Sequence, residues 1–305
     1  VLRWYSKFLR PFTDKQEQLR RAMFANDVGS IRAMLNAAPD LKAKLESVLS
    51  IQPRAVFACD YIDKNTGDLI WHADAYNLVT RLGIGGTGVA SGRSLLDATF
   101  SSGSTSPAWF IGIIKQQNTN TGSMSSGTTS ITGLTSLTTI TGQQVTVFNA
   151  LTGPLNLVTT ISAGATGTTQ TTVGSATLTA TSQPVIFGPT FATTDTGSSH
   201  SNWTGIASTD VTEGALQALT LPAIGTGSWS TGQDLVSVDN SANKATYTPN
   251  ANYYACGLFI INNSSFTLTG NLLYGEAGFT QGALQVQSGG SYSLQVTTTL
   301  QGQAG

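Results

Sequence analysis

Charge is what this sequence has least of. The chain has 305 residues, and charged side chains make up 10% of them, against about a quarter in ordinary soluble domains. After position 115 there are one lysine (Lys244), no arginine and six acids, and from Gln116 to Thr194 there is no charged residue at all. The net charge is −1, so the broad basic footprint of a nucleic-acid binder is missing. Cysteine is equally scarce. Cys59 and Cys256 are the only two, which excludes a disulfide framework and fits two buried free thiols. No apolar run is long enough to cross a bilayer as a helix, no signal-peptide pattern is visible, and neither nucleic acid nor membrane is expected as a partner.

Histidine is short as well, with His72 and His200 alone. His72 and Asp74 would share one face of a strand, but a closed metal site wants about four ligands. The run Asp63-Lys-Asn-Thr-Gly67-Asp68 has its glycine one place early for a calcium loop, and a hairpin turn accounts for it. Gly83-Ile-Gly85-Gly-Thr-Gly88 spells a dinucleotide fingerprint. No helix of the needed length follows it, and Asp97 comes too early for the ribose contact. Asp195, Asp210, Glu213, Asp234, Asp239 and Glu276 could supply a glycosidase pair, yet nothing in their spacing selects two that face each other. No Ser-His-Asp or Cys-His arrangement can be assembled. The expectation is therefore a protein without catalysis, cofactor or metal.

What the chain does contain divides it into regimes. Residues 1–115 hold 14 basic and 10 acidic side chains. Within them, 1–52 have helical spacing: residues 1–10, 14–25, 30–36 and 39–49, with Pro11 ending the first piece. Trp4, Tyr5, Phe8 and Leu9 alternate with Arg3, Lys7 and Arg10. Aromatic and arginine side chains together are the material of binding hot spots, so these four are expected to dock on a partner protein. At Pro53 the period changes to two. Residues 55–62 and 68–73 read as a hairpin and 108–114 as a buried strand, and many short strands with Gly, Asn and Pro turns follow to 300.

The predicted fold is mainly β: an antiparallel, jelly-roll-like β-sandwich with an N-terminal helical extension and a Thr/Ser/Gly-rich β insertion. The expected segments are a helical anchor (1–52), a first sandwich part (53–115), the charge-free insertion (116–197) and the remainder of the sandwich (198–305).

Inside the insertion, Ile131, Leu134, Leu137 and Ile140 recur at every third residue, a period that suits neither strand nor helix. Three arrangements are open: an irregular loop laid over a neighbour, extended chain around a trimer axis, or a solenoid rung. The first two leave the segment poorly held by its own chain. They make these four residues partner contacts, with a homotrimer as the expected assembly. Strand edges without lysine gatekeepers point the same way, towards a subunit covered by neighbours.

The segments 76–83, 95–100, 107–114, 200–204 and 272–300 resemble, in that order, a family of tailed-bacteriophage virion proteins. Its members carry a W-[FY]-I-G-L-I-like strand, here Trp109 to Ile114. They also carry an S-H-x-x-W segment, here Ser199 to Trp203, and a closing strand, here Val286 to Leu300. Gly290-Ser291 stands where the pattern has Gly-Asp. The resemblance implies a β-sandwich and a place in the virion, as a decoration, cement or head-fibre subunit bound to other virion proteins. It implies no catalytic residues. The alternative is a tail or neck fibre that binds host surface glycan through Trp203, Trp229, Tyr253 and Tyr254, and a third reading is a carboxylate-dependent glycan depolymerase.

Overall fold

The structure, a computed structural model, describes residues 54–76, 78–79, 109–153, 155–191, 202–220, 229–232, 235–261 and 273–302. The chain divides after Gln52, and every described residue belongs to the second unit, Pro53–Gly305. The expected helices of 1–52, with Trp4, Tyr5, Phe8 and Leu9, lie outside the described residues, as does the glycine-rich run 83–88. What is described is mainly β and entirely antiparallel in its strand pairing.

Strands β1 (Arg54–Asp63) and β2 (Leu69–Tyr76) form a hairpin. Its turn is set by Asp63, whose carboxylate accepts the Asn65 N–H at 2.8 Å and whose carbonyl accepts the Gly67 N–H. Gly67 has φ +79°, a conformation that suits glycine. Next come β3 (Leu78–Val79) and β4 (Phe110–Lys115). The charge-free segment then supplies β5 (Asn118–Met124), β6 (Ser130–Thr132), β7 (Leu137–Thr138), β8 (Gln144–Leu151), β9 (Leu155–Ala163), β10 (Thr166–Gly167), β11 (Gln170–Thr172) and β12 (Ala180–Phe187). The chain continues through β13 (Thr204–Gly205), β14 (Leu216–Ala218), β15 (Trp229–Gly232), β16 (Leu235–Asp239), β17 (Ala245–Tyr247), β18 (Tyr253–Ile261), β19 (Leu273–Gly278), β20 (Leu284–Val286) and β21 (Tyr292–Gly302).

Two sheets face each other. One runs β15-β16-β21-β1-β2, with β17 also on β21; the other runs β13-β4-β18-β19-β3, with β14 on β4 and β20 on β18. Alternate residues of both enter one core: Phe57, Cys59 and Tyr61 from β1, Leu294 and Val296 from β21, Ile111 and Ile113 from β4, Leu258 and Ile260 from β18. The Tyr247 hydroxyl crosses the core to donate to the Ile111 carbonyl at 2.7 Å. Cys59 and Cys256 are buried free thiols. The second sheet is also covered on its other face, where Ile114, Trp203, Phe259, Ile261 and Leu273 cluster. That explains why 108–114 reads as one apolar run rather than an alternation. Between β16 and β17 the edge of β21 is kept paired by a side chain. Buried Asn240 accepts the Thr298 N–H at 2.7 Å and donates to the Val296 carbonyl, replacing the ladder bonds the break removes.

The charge-free segment is a closed six-stranded barrel in the order β11-β6-β5-β12-β8-β9. This corrects the expectation for Ile131, Leu134 and Leu137. They are 0, 3 and 9% exposed and fill the barrel with Met124, Val145, Val147, Ile161 and Phe187, so they are not surface contacts for a partner. The period of three comes from interrupted strands. Ile131 points inward from β6, and Gly133 then adopts φ +72°. That turn brings Leu134 inward, with its N–H donating to the Thr168 carbonyl. Leu137 follows inside the short β7, which pairs with β10. Only Ile140 of the four stays on the surface, at 42% exposed.

Two consequences are measurable by urea unfolding. Ile131→Ala and Leu134→Ala should each cost about 2–5 kcal/mol, whereas Ile140→Ala should change stability by less than about 0.5 kcal/mol; the reverse ranking would contradict an inward-facing segment. In β18, a methyl group on Gly257 would sit 2.1 Å from the Ala277 carbonyl oxygen, a backbone atom that cannot move aside. Gly257→Ala should therefore lose about 3 kcal/mol or more, or fail to fold.

Candidate functional site

The barrel is fastened to the sandwich along a seam. Ile186 and Phe148, from the outer faces of β12 and β8, pack on Cys256, Ala283 and Tyr254. The Phe148 and Tyr254 rings meet edge to face, with centroids 5.8 Å apart. Polar bonds line the same seam. Gln116 N–H donates to the Tyr254 carbonyl, and Gln116 Oε1 accepts the Tyr254 N–H at 2.9 Å. Ala283 N–H donates to Thr146 Oγ1 at 2.9 Å, and Gln144 Nε2 donates to the Phe279 carbonyl at 3.0 Å. Gly282, at φ +78°, lies so close that any Cβ would be 2.5 Å from Thr146 Oγ1.

Beside this seam lies an open groove of about 620 Å³, within the usual size range of small-molecule sites. Thr141, Gln144 and Thr160 bring polar groups to it, Val158 and Pro189 apolar ones, and Thr190 and Phe191 close one side. No charged residue lines it. Two of its residues hold a buried polar atom with no protein partner, Oε1 of Gln144 and Oγ1 of Thr190. A buried polar group without a partner costs roughly 1–3 kcal/mol, and such groups in a folded protein call for a cause.

Among the described residues the charged side chains lie elsewhere, all on the sandwich. On the outer face of the first sheet, His72 Nδ1 lies 2.6 Å from Asp60 Oδ1 and Nε2 lies 3.1 Å from Asp74 Oδ1. Lys244 Nζ stands 3.6 Å from the other Asp60 oxygen. Both ring nitrogens are thus engaged by carboxylates, and the His72–Asp74 pair is not an open ligand set. Among the described residues no group of three or more His, Cys, Asp or Glu is placed to hold a metal ion. Asp210 pairs with Lys115 at 2.7 Å and accepts the Ala207 N–H. Burial pushes the Glu213 carboxyl up, but the Thr248 amide and hydroxyl bonded to it outweigh this and hold it below its ordinary value. Asp239 accepts the Ser241 N–H, and Glu276 is fully buried in β19. Asp195 and Asp234 lie outside the described residues, as does His200.

The aromatic residues expected to stack on sugar are placed differently. Trp203 is 2% exposed and packs on Phe259, with ring centroids 4.9 Å apart; Tyr253 is 4% exposed in the sandwich core. Neither presents a face to solvent, which corrects that expectation for both. Tyr254 is half-buried in the seam. Trp229 opens β15, and its side chain lies outside the described residues. The groove itself was not anticipated from sequence. Gln144, Thr160 and Thr190 look like any other neutral residues of a Thr-rich run; the β8–β9 pairing sets Gln144 opposite Thr160, and the end of the β12–β8 ladder brings 189–191 beside them. Comparison with protein families, curated proteins and solved structures finds no match for this chain.

The hydrogen bond to Asp60 raises the His72 pKa above its usual value; slight burial opposes this and the Asp74 bond adds to it. A raised folded-state pKa stabilises the fold fully below about pH 6.5, the unfolded value, and the contribution disappears as pH rises through the folded value. His72→Gln should therefore lower the melting temperature in mildly acidic buffer and not in alkaline buffer. The difference should stay below about 1 kcal/mol, because the group is largely open to solvent. A loss that is the same at both pH values would show that the ion pair contributes nothing.

Proposed function

We propose that this chain is a non-enzymatic structural subunit of a tailed-phage virion, of the decoration, cement or head-fibre type. It would be held to another virion protein by Trp4, Tyr5, Phe8 and Leu9 and would carry a barrel on a jelly-roll-like sandwich. One observation carries the reading. The described parts of the motifs that resemble virion proteins fall on the sandwich framework: Trp109 to Ile114 at and in β4, Trp203 in the cluster over β18, and Val286 to Leu300 on β20 and β21. The charge-free segment between the first two motifs is a self-contained barrel. Conserving a framework while building a module into one of its loops is how an architectural protein varies.

A homotrimer is the assembly to test, because threefold positions on a capsid suit it; Ile131, Leu134 and Leu137 contribute nothing to it, since they fill their own barrel. Purified particles from the source of this sequence should contain the chain in stoichiometric amount by mass spectrometry. A chain lacking 1–52 should fail to join them. Absence of the chain from the particles would end this proposal.

A further inference from the structure

The end of the barrel away from the seam carries apolar side chains that its own core does not use. The chain enters the barrel at Gln117 and leaves it at Phe187, where the Gln117 N–H donates to the Phe187 carbonyl at 2.8 Å. From there β5 and β12 run from Asn118 opposite Phe187 to Met124 opposite Ala180, and β8 and β9 run from Gln144 opposite Thr160 to Leu151 opposite Leu155. At this far end Ala150 and Leu151 lie between two outlying leucines. Leu155, 60% exposed, pairs with Leu151 on one side; Leu178, 41% exposed, donates its N–H to the Ala150 carbonyl at 3.1 Å on the other. Leu151 between them is half-buried. Apolar side chains grouped on a surface, rather than scattered singly, mark a contact site.

The backbone is strained at the same place. Among the described residues Asn149 and Ser182 are the two non-glycines with positive φ, +54° and +50°. Both sit where a ladder slips, in β8 between Val147 and Leu151 and in β12 between Ala180 and Gln183. Asn149 Nδ2 donates to Gln183 Oε1 at 2.8 Å across the gap. Strain of this kind gathers at sites of contact and binding. The polar groups around the leucines are amides and hydroxyls: Asn149, Asn156, Gln183, Thr152 and Thr177. Amides and hydroxyls both donate and accept, so such a surface is complementary to a copy of itself. It carries no charge, so two copies approach without the like-charge repulsion that a charged surface meets in its own image. An anionic membrane surface, by contrast, would find no lysine or arginine there.

We propose that the far end of the barrel is where copies of this chain meet, with Leu151, Leu155 and Leu178 of one packed on those of the next. The contact does not depend on the virion assignment. It takes the place of Ile131, Leu134 and Leu137 as the apolar surface between copies.

The test is sedimentation equilibrium on the full chain. The unmodified chain should form a dimer or a trimer that dissociates on dilution. Leu155→Glu sets carboxylates against one another across the contact and should raise the concentration of half-dissociation roughly tenfold or more, with the melting temperature of the monomer unchanged. Leu178→Glu should do the same, and if it does not fold Leu155→Glu decides alone. Val173→Glu is the control. Val173 is 68% exposed, but its N–H bonds to the Thr160 carbonyl, about 16 Å along β9 from Leu155, so this variant should associate as the unmodified chain does. A monomer at the highest attainable concentration, association unmoved by Leu155→Glu, or an equal loss from Val173→Glu would each overturn the proposal, whether or not the chain is found in particles. So would a monomer that binds neutral phosphatidylcholine vesicles and loses that binding in Leu155→Glu, because the leucines would then meet a membrane.

Discussion

The pairing of β11 with both β6 and β9 is the constraint on which the rest of the molecule depends. Those two short ladders turn six strands into a ring. A segment without charge has no lysines to keep its strand edges from pairing with other chains, and closure removes the edges themselves. Composition alone suggests that such a segment must be covered by neighbours. The barrel instead closes on itself around a core of its own, including the three residues whose spacing points outward on paper, while Ile140, Leu155, Val173 and Leu178 stay exposed.

A barrel without charged residues still has to pair its interior polar groups, and it does so with neutral ones. Thr139 Oγ1 donates to Gln170 Oε1 at 2.6 Å, and Gln170 Nε2 donates to the Ala165 carbonyl. Gln143 Nε2 donates to the Gly188 carbonyl, and Thr172 Oγ1 bonds to the carbonyls of Thr129 and Gly174. These side chains stitch β7, β10 and β11, strands of only two or three residues, to their surroundings. Amides and hydroxyls carry a far smaller desolvation cost than ions, so they can be buried here without counter-charges. Against this background three buried side-chain atoms of the segment have no protein partner: Gln117 Nε2, Gln144 Oε1 and Thr190 Oγ1.

How much was legible follows from how local each signal is. The hairpin of β1 and β2 was readable because Asp63, Asn65 and Gly67 are turn residues with a mechanism. The buried strand Phe110–Lys115 was readable because an unbroken apolar run demands two covered faces. The antiparallel, mainly β character followed from Thr, Val and Ile. The barrel was not readable, since closure depends on pairing Thr171 both with nearby Ala163 and with Ser130, far back in the chain, a contact that no period reveals. The spacing of Ile131, Leu134 and Leu137 was seen correctly but assigned to the wrong surface. A positive-φ glycine between two inward residues changes a strand period of two into three, and the sequence does not say which glycine takes that conformation. Trp203 and Tyr253 were misplaced for a related reason: an aromatic residue in a polar stretch has the same local signature whether it caps a core or faces a ligand.

The unequal distribution of charge has a functional consequence. Every ion pair among the described residues lies on the sandwich: His72 with Asp60 and Asp74, Lys244 with Asp60, and Lys115 with Asp210. Changes of pH and salt therefore act on the sandwich and leave the barrel almost untouched. Long-range steering of a charged partner needs a field, and the barrel surface supplies none. What is left to it is discrimination at contact, by shape, hydrogen-bond pattern and apolar area. A charged group laid on the barrel would meet no counter-charge there, only hydroxyls, amides and backbone groups.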